Sequence, residues 1–276
     1  MIQIRPVVGA PSLALDNTSL ALDYERISAL RHLEAGRQLV GDLAIRRGER
    51  ILDVGCGTGL LAEEIAGTVG PDGFVLGIDP LPLRIGLATS RARDNLSFEL
   101  GDANDLGRLP DRSFDAVVLN AVLHWLPDKT GPLLGFWRVL RHGGRLGIST
   151  GLKGDVPELV RTARALLAEP PFDAHPRPRE GITFRVEAEE LRALLQTTGF
   201  QPRCVEVREH KFRHGGPEDA LRFMEASSFG NVLGHLPPEL RELARTRVRE
   251  KFAALAGPDG LIVSTHRHVV ALAERR

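Results

Sequence analysis

The sequence predicts an α/β protein built on a doubly wound, mostly parallel sheet. Three observations carry that expectation. From Glu49 onward, short apolar runs alternate with helical stretches, and parallel neighbours need the long return path that a helix supplies. The strand candidates are apolar almost throughout, as a sheet covered on both faces requires. One of them, ILDV, runs straight into glycines at every second position, Gly55, Gly57 and Gly59, a density that lets a backbone approach a ligand closely.

Taken in order, residues 20–46 space Leu, Ile and Val at helical intervals and predict one or two amphipathic helices. Strands are expected at RILDVG, FVLGID, LSFELGD, FDAVVLN and RLGIST, with helices at about 60–68, 82–92 and 128–142. Past Ser149, a helix at about 155–168 meets the Pro-rich EPPFDAHPRPREG, which cannot continue it. VEAEELRALLQTTG reads as a helix closed by Gly199. Strand PRCVEVREH follows, then helices at about 217–228 and 238–256, and a last strand near HRHVVALAE. The helices between the two late strands are expected to form a cap over the C-terminal edge of the sheet, inserted before the last strand. The expected division is an N-terminal helical arm at 1–48, a core at 49–214, a cap at 215–260 and a final core strand at 261–276.

Lys+Arg and Asp+Glu balance at 36 each, so no global charge draws the chain to nucleic acid or an anionic membrane. The two cysteines, Cys56 and Cys204, have no metal-type spacing and suit a reducing cytosol. His175, His210, His214, His235, His266 and His268 form no pattern such as H-E-x-x-H, so no metal is expected. No apolar run reaches the ~20 residues that span a bilayer, and the N-terminus lacks the apolar core of a signal peptide. The expectation is a cytoplasmic protein with a small-molecule substrate and neither a nucleic-acid nor a membrane partner. Monomer and homodimer are equally compatible with it.

The glycine loop separates the nucleotide-binding alternatives. A dinucleotide loop, G-x-G-x-x-G, would place its third glycine where Leu60 stands. A triphosphate loop would end in G-K-[ST], which is absent. The chain instead carries G-x-G-x-G preceded by Asp53.

DVGCGTG resembles the first motif of the class I S-adenosylmethionine (SAM)-dependent methyltransferases, and residues 49–150 resemble their Rossmann-like core strand by strand. The resemblance implies SAM as cofactor, S-adenosylhomocysteine as product, and a last strand antiparallel to the rest. It implies that Gly55, Cys56, Gly57 and Gly59 cradle SAM, with Asp53 near its amino group. Asp79, followed by Pro80, would grip both ribose hydroxyls through one carboxylate oxygen each. Asp102 would accept from the adenine amino group beside the backbone of Ala103. Asn120 and Ala121 would lie beside the methionine moiety. For Asp79 alone a solvated loop carboxylate, and for Asp102 a helix cap, are the alternatives.

On the acceptor side, the segment LHW places His124 and Trp125 just past the fourth strand. It resembles the segment that faces the acceptor carboxylate in juvenile hormone acid and salicylate-type carboxyl methyltransferases, and trans-aconitate methyltransferase carries a related aromatic there. Imidazole and indole N–H groups can each donate to a carboxylate oxygen; His124 is equally able to serve as a general base toward a phenol or amine. Tyr24, the only tyrosine, lies in a segment similar to one that sits near the methyl group in this superfamily, and is a second catalytic and acceptor-side candidate. FMEASSFGN supplies Phe223 and Ser227 as acceptor-pocket candidates, against the plainer reading of a core stripe. The N-terminal YERIS and the core also resemble arsenite methyltransferases, but two dispersed cysteines do not supply their arsenic-binding thiolates. The expected activity is methyl transfer to a small organic molecule, with a carboxylate or other oxygen as the favoured acceptor. The alternatives are C- or N-methylation of a natural-product, quinone or prenyl precursor, and a SAM-binding protein without turnover.

Overall fold

Ile51, Leu52 and Val54 are wholly buried, so the ILDV run forms a strand covered on both faces, and it lies inside the sheet with a neighbour on each side. In the computed structural model, which describes residues 17–175, 183–228 and 232–276, this strand is β1 (Arg50–Val54). Ahead of it come α1 (Thr18–Asp23), a π-helical turn (Tyr24–Ala29) and α2 (Leu30–Leu43). After it follow α3 (Leu60–Val69), β2 (Phe74–Asp79), α4 (Pro82–Ala88), β3 (Leu96–Leu100), β4 (Phe114–Asn120), α5 (Thr130–Val139) and β5 (Leu140–Gly151). The chain continues through α6 (Glu158–Leu167), α7 (Ala188–Thr197), β6 (Phe200–His214), α8 (Pro217–Ser227), α9 (Pro238–Ala253) and β7 (Ile262–Arg275).

The sheet order is β3-β2-β1-β4-β5-β7-β6. β1 pairs in parallel with β2 and β4, β2 with β3, and β4 with β5. β7 is antiparallel to β5, so the doubly wound, mostly parallel sheet with an antiparallel last strand is the fold observed. The strand order reverses between β1 and β4, and open α/β sheets bind ligands outside the carboxyl ends of the strands at such a point.

Two compact units share the chain. One comprises residues 29–153, 184–208 and 267–276. Its sheet is covered on one face by a cluster that includes Leu39, Leu43, Ile65 and Val69 and on the other by one that includes Leu133, Phe136, Leu191 and Leu195. The other unit holds the described residues of 1–28, 154–183 and 209–266. Its core joins Leu159, Ala163 and Leu166 of α6 to Leu221 and Met224 of α8 and to Val248 and Phe252 of α9.

Several element boundaries depart from the expected ones. α5 stops at Val139 and Leu140 already pairs with Phe114. The apolar pair Val139–Leu140 extends a helical pattern in sequence, yet the ladder captures its second member. The register then jumps, so that Ala116 faces Arg145 across an irregularity that contains Gly143 at φ 73°. The expected helix at 82–92 is α-helical only to Ala88 and tightens to a 3₁₀ turn over Thr89–Arg91. β6 runs on to His214, with His210, Phe212 and His214 buried in alternation; two of the three inward residues are polar in sequence, which hides the period.

Candidate active site

The loop after β1 is built so that only glycine fits at its two ends. Gly55 has φ 69°, and a Cβ there would lie 2.3 Å from Cγ2 of Val122. Gly59, at φ 86°, would meet the Phe98 ring at 2.7 Å. Both conformations are left-handed, where side chains are strained. Gly55 and Cys56 donate their amides to the Ile78 carbonyl at 2.7 and 3.0 Å. The Gly57 amide donates to Asp79 Oδ2 at 3.0 Å and the Leu81 amide to Oδ1 at 2.9 Å. Each Asp79 oxygen thus accepts from one amide. Pro80, half-buried, joins that carboxylate to α4.

Asp53 is buried in the strand below, and its Oδ2 has no hydrogen-bond partner. Burial, and then the Asp79 charge, push its carboxyl up to about 7. Thr58 Oγ1 is likewise buried and unpartnered. The Cys56 thiol is pushed well up by burial, then by Asp53 and Asp79, and it stays protonated. At the end of β3, Asp102 Oδ1 accepts from the Asn104 amide at 2.9 Å and its side chain at 2.8 Å, and Ala103 is buried. Past β4, Asn120 donates its side-chain amide to the His32 carbonyl of α2 at 3.0 Å, and Ala121 takes φ 60°.

Beside Val122, which packs on Gly55, the chain makes a 3₁₀ turn over Leu123–Trp125. The His124 backbone is pinned by the Phe184 amide, which donates to its carbonyl at 2.7 Å. Its ring lies 5.2 Å from that of Trp125. Nδ1 stands 3.0 Å from Thr150 Oγ1 and accepts from the Gly151 amide at 3.3 Å. Its removal from water, followed by Arg185, His268, His32 and Lys129, holds the imidazole well below its ordinary range. The ring is neutral at neutral pH.

Residues 45–197 match the family described as a methyltransferase domain. The chain belongs to that family. It is 34% identical over 215 residues to the 27-O-demethylrifamycin SV methyltransferase of Amycolatopsis mediterranei, covering 71% of this chain and 74% of that one. It is 37% identical over 131 residues to the aklanonic acid methyltransferase of a Streptomyces species, covering 46% of this chain and 59% of that one. Its fold is similar to that of geranyl diphosphate C-methyltransferase from Streptomyces coelicolor, solved with S-adenosyl-L-homocysteine, at a TM-score of 0.54 and 17% identity over 88% of this chain and 76% of that one. The chain is a SAM-dependent methyltransferase.

The residues present fit that cofactor. An unpartnered buried carboxylate beside a second one is a place for a cation, and SAM carries an ammonium and a sulfonium. The expected donor residues Asp53, Gly55, Cys56, Gly57, Gly59, Asp79, Pro80, Asp102, Ala103, Asn120 and Ala121 all lie at or just beyond the carboxyl ends of β1 to β4 of this methyltransferase. His124 and Trp125 lie there too.

Tyr24, Phe223 and Ser227 belong to the other unit. Tyr24 is half-buried in the π-helical turn. Phe223 is buried 5.4 Å from Phe212 and 5.0 Å from His214, ring to ring, and Ser227 donates to Ser28 Oγ at 3.0 Å. The rest of FMEASSFGN, from Phe229, lies outside the described residues. Among the described residues no cluster of His, Cys, Asp or Glu is arranged to hold a metal, and no helix is long and apolar enough to cross a membrane. Sequence reasoning missed Thr150, Gly151, Lys129 and Arg185. None carries a motif; they matter only because the fold sets them around His124.

Proposed function

We infer that this methyltransferase acts on a small organic acceptor through an anionic oxygen, a carboxylate in the first instance. The observation that supports this is the charge around His124. Arg185 and Lys129 both act on the ring, along with His268 and His32, so the region is cationic and suited to an anion. The named substrates of two relatives support oxygen as the acceptor: one is an O-demethylated compound and the other an acid.

When bound, SAM supplies an electrophilic methyl whose C–S bond breaks with both electrons passing to sulfur, leaving S-adenosylhomocysteine. The chain's residues hold the two partners in line, which is where most of the acceleration of such a displacement arises. Asp53 and Asp79 take the cationic and ribose ends of the donor. His124 and Trp125 donate to the acceptor oxygen, whose lone pair forms the new O–CH₃ bond. Tyr24, Phe223 and Ser227 enter as acceptor-side residues on the resemblance alone.

A screen with methyl-labelled SAM across carboxylic acids, phenols, amines and prenyl diphosphates tests the reading. The expected product is a base-labile methyl ester. Transfer confined to nitrogen or carbon acceptors would overturn it.

A further inference from the structure

The hydrogen bonds at His124 Nδ1 decide what the imidazole can do. A backbone amide only donates, so the Gly151 N–H, 3.3 Å from Nδ1, requires a lone pair on that nitrogen. A proton on Nδ1 would face the amide proton directly. The Thr150 hydroxyl, buried and 3.0 Å from the same atom, has a hydrogen free to rotate and completes a three-centre arrangement by donating as well. The neutral ring therefore carries its proton on Nε2.

We propose that Thr150 and Gly151 are positioning residues that lock His124 in its Nε2–H tautomer, so that it grips an acceptor already ionised in solution and does not deprotonate a neutral one. With Nε2 protonated and the Nδ1 lone pair shared by two donors, the ring holds no free base facing an acceptor. The charged and titratable groups acting on it from the neighbouring elements are Arg185, His268, His32 and Lys129; Arg185 and Lys129 are cations, and they oppose a further proton on the ring. The preferred acceptors are thus acids whose pKa lies below the working pH. This deepens the anionic-oxygen reading and rests on it for the acceptor, while the tautomer itself stands on the geometry alone.

Two measurements separate the claims. Nitrogen-15 NMR of the His124 ring in the full-length protein reads the tautomer with no acceptor present. The expected pattern is Nε2–H in the wild type and a mixture of tautomers in Thr150→Val, with Thr150→Ser restoring the wild-type pattern. An Nδ1–H ring or an imidazolium at neutral pH would overturn the lock whatever the acceptor is. On an acid found in the screen, Thr150→Val should lower kcat by about threefold to tenfold, the worth of one hydrogen bond, with SAM affinity unchanged. His124→Gln, which keeps an N–H donor but no base, should retain more activity than His124→Ala. Equal loss in the two variants, together with a wild-type rate that climbs through the imidazole range after the acceptor has ionised, would identify a general base and sink the proposal.

Discussion

The two sides of the site carry opposite charge. On the side proposed for the methyl donor, at the ends of β1 and β2, burial first and then the Asp79 charge raise the proton affinity of Asp53. On the side proposed for the acceptor, burial first and then Arg185, His268, His32 and Lys129 lower the proton affinity of His124. On the function proposed above, the first region takes a cation and the second an anion. If that function holds, the difference teaches that selectivity for each partner is set before the chemistry: a sulfonium is drawn to one side and an ionised oxygen to the other. Transfer then neutralises both charges, because the products are a thioether and an ester or ether.

The largest expected effect is on the acceptor side. His124→Ala should reduce turnover by about a hundredfold, the cost of an acceptor no longer held in line with the methyl, while calorimetric SAM affinity stays the same. Equal loss of SAM binding would merge the two sides. Next, Asp79→Ala should weaken SAM binding by about 1.5–3 kcal/mol, the worth of hydrogen bonds to a charged group, without altering acceptor selectivity; unchanged affinity would remove Asp79 from the donor side.

Asp53 gives a pH signature. Its carboxyl titrates at about 7 in the fold, raised from 3.8, so the native chain holds a proton that the unfolded chain has released between those values. Stability from this group is full below about 4, declines as pH rises toward 7 and is level above. Relative to Asp53→Asn, the wild type should lose melting temperature across that window, and parallel melting curves from pH 4 to 8 would contradict the raised carboxyl. The smallest effect is expected for Arg185→Gln, which should raise KM for an anionic acceptor by about twofold to fivefold, with the difference shrinking in high salt. An equal change for an uncharged acceptor would show that Arg185 acts by shape and not by charge.

The positions of the glycine loop and the three aspartates were legible because they are written in short contiguous stretches. Each of Asp53, Asp79 and Asp102 closes or follows a strand, and a strand end fixes where the next residues point. The acceptor side is assembled from segments far apart in sequence. Thr150 comes from the end of β5 and Arg185 from the segment before α7, and neither ISTG nor TFRV signals a partner for an imidazole. The same holds for the helices. Their periods revealed α6, α8 and α9 individually, but the shared core of Leu159, Leu221 and Phe252 depends on three-dimensional packing. β5 illustrates a further limit: a local helical pattern continued to Leu140, and a strand-to-strand pairing overrode it.

The interleaved course of the chain has a consequence for how such a protein can be altered. Each unit is made of several segments, and β6 and β7 each have residues in both. No single cut releases either unit whole, and a fragment ending at Lys153 would lack β6 and β7 and leave β5 without its antiparallel neighbour. The unit that holds α6, α8 and α9 therefore cannot be exchanged between relatives as one continuous cassette.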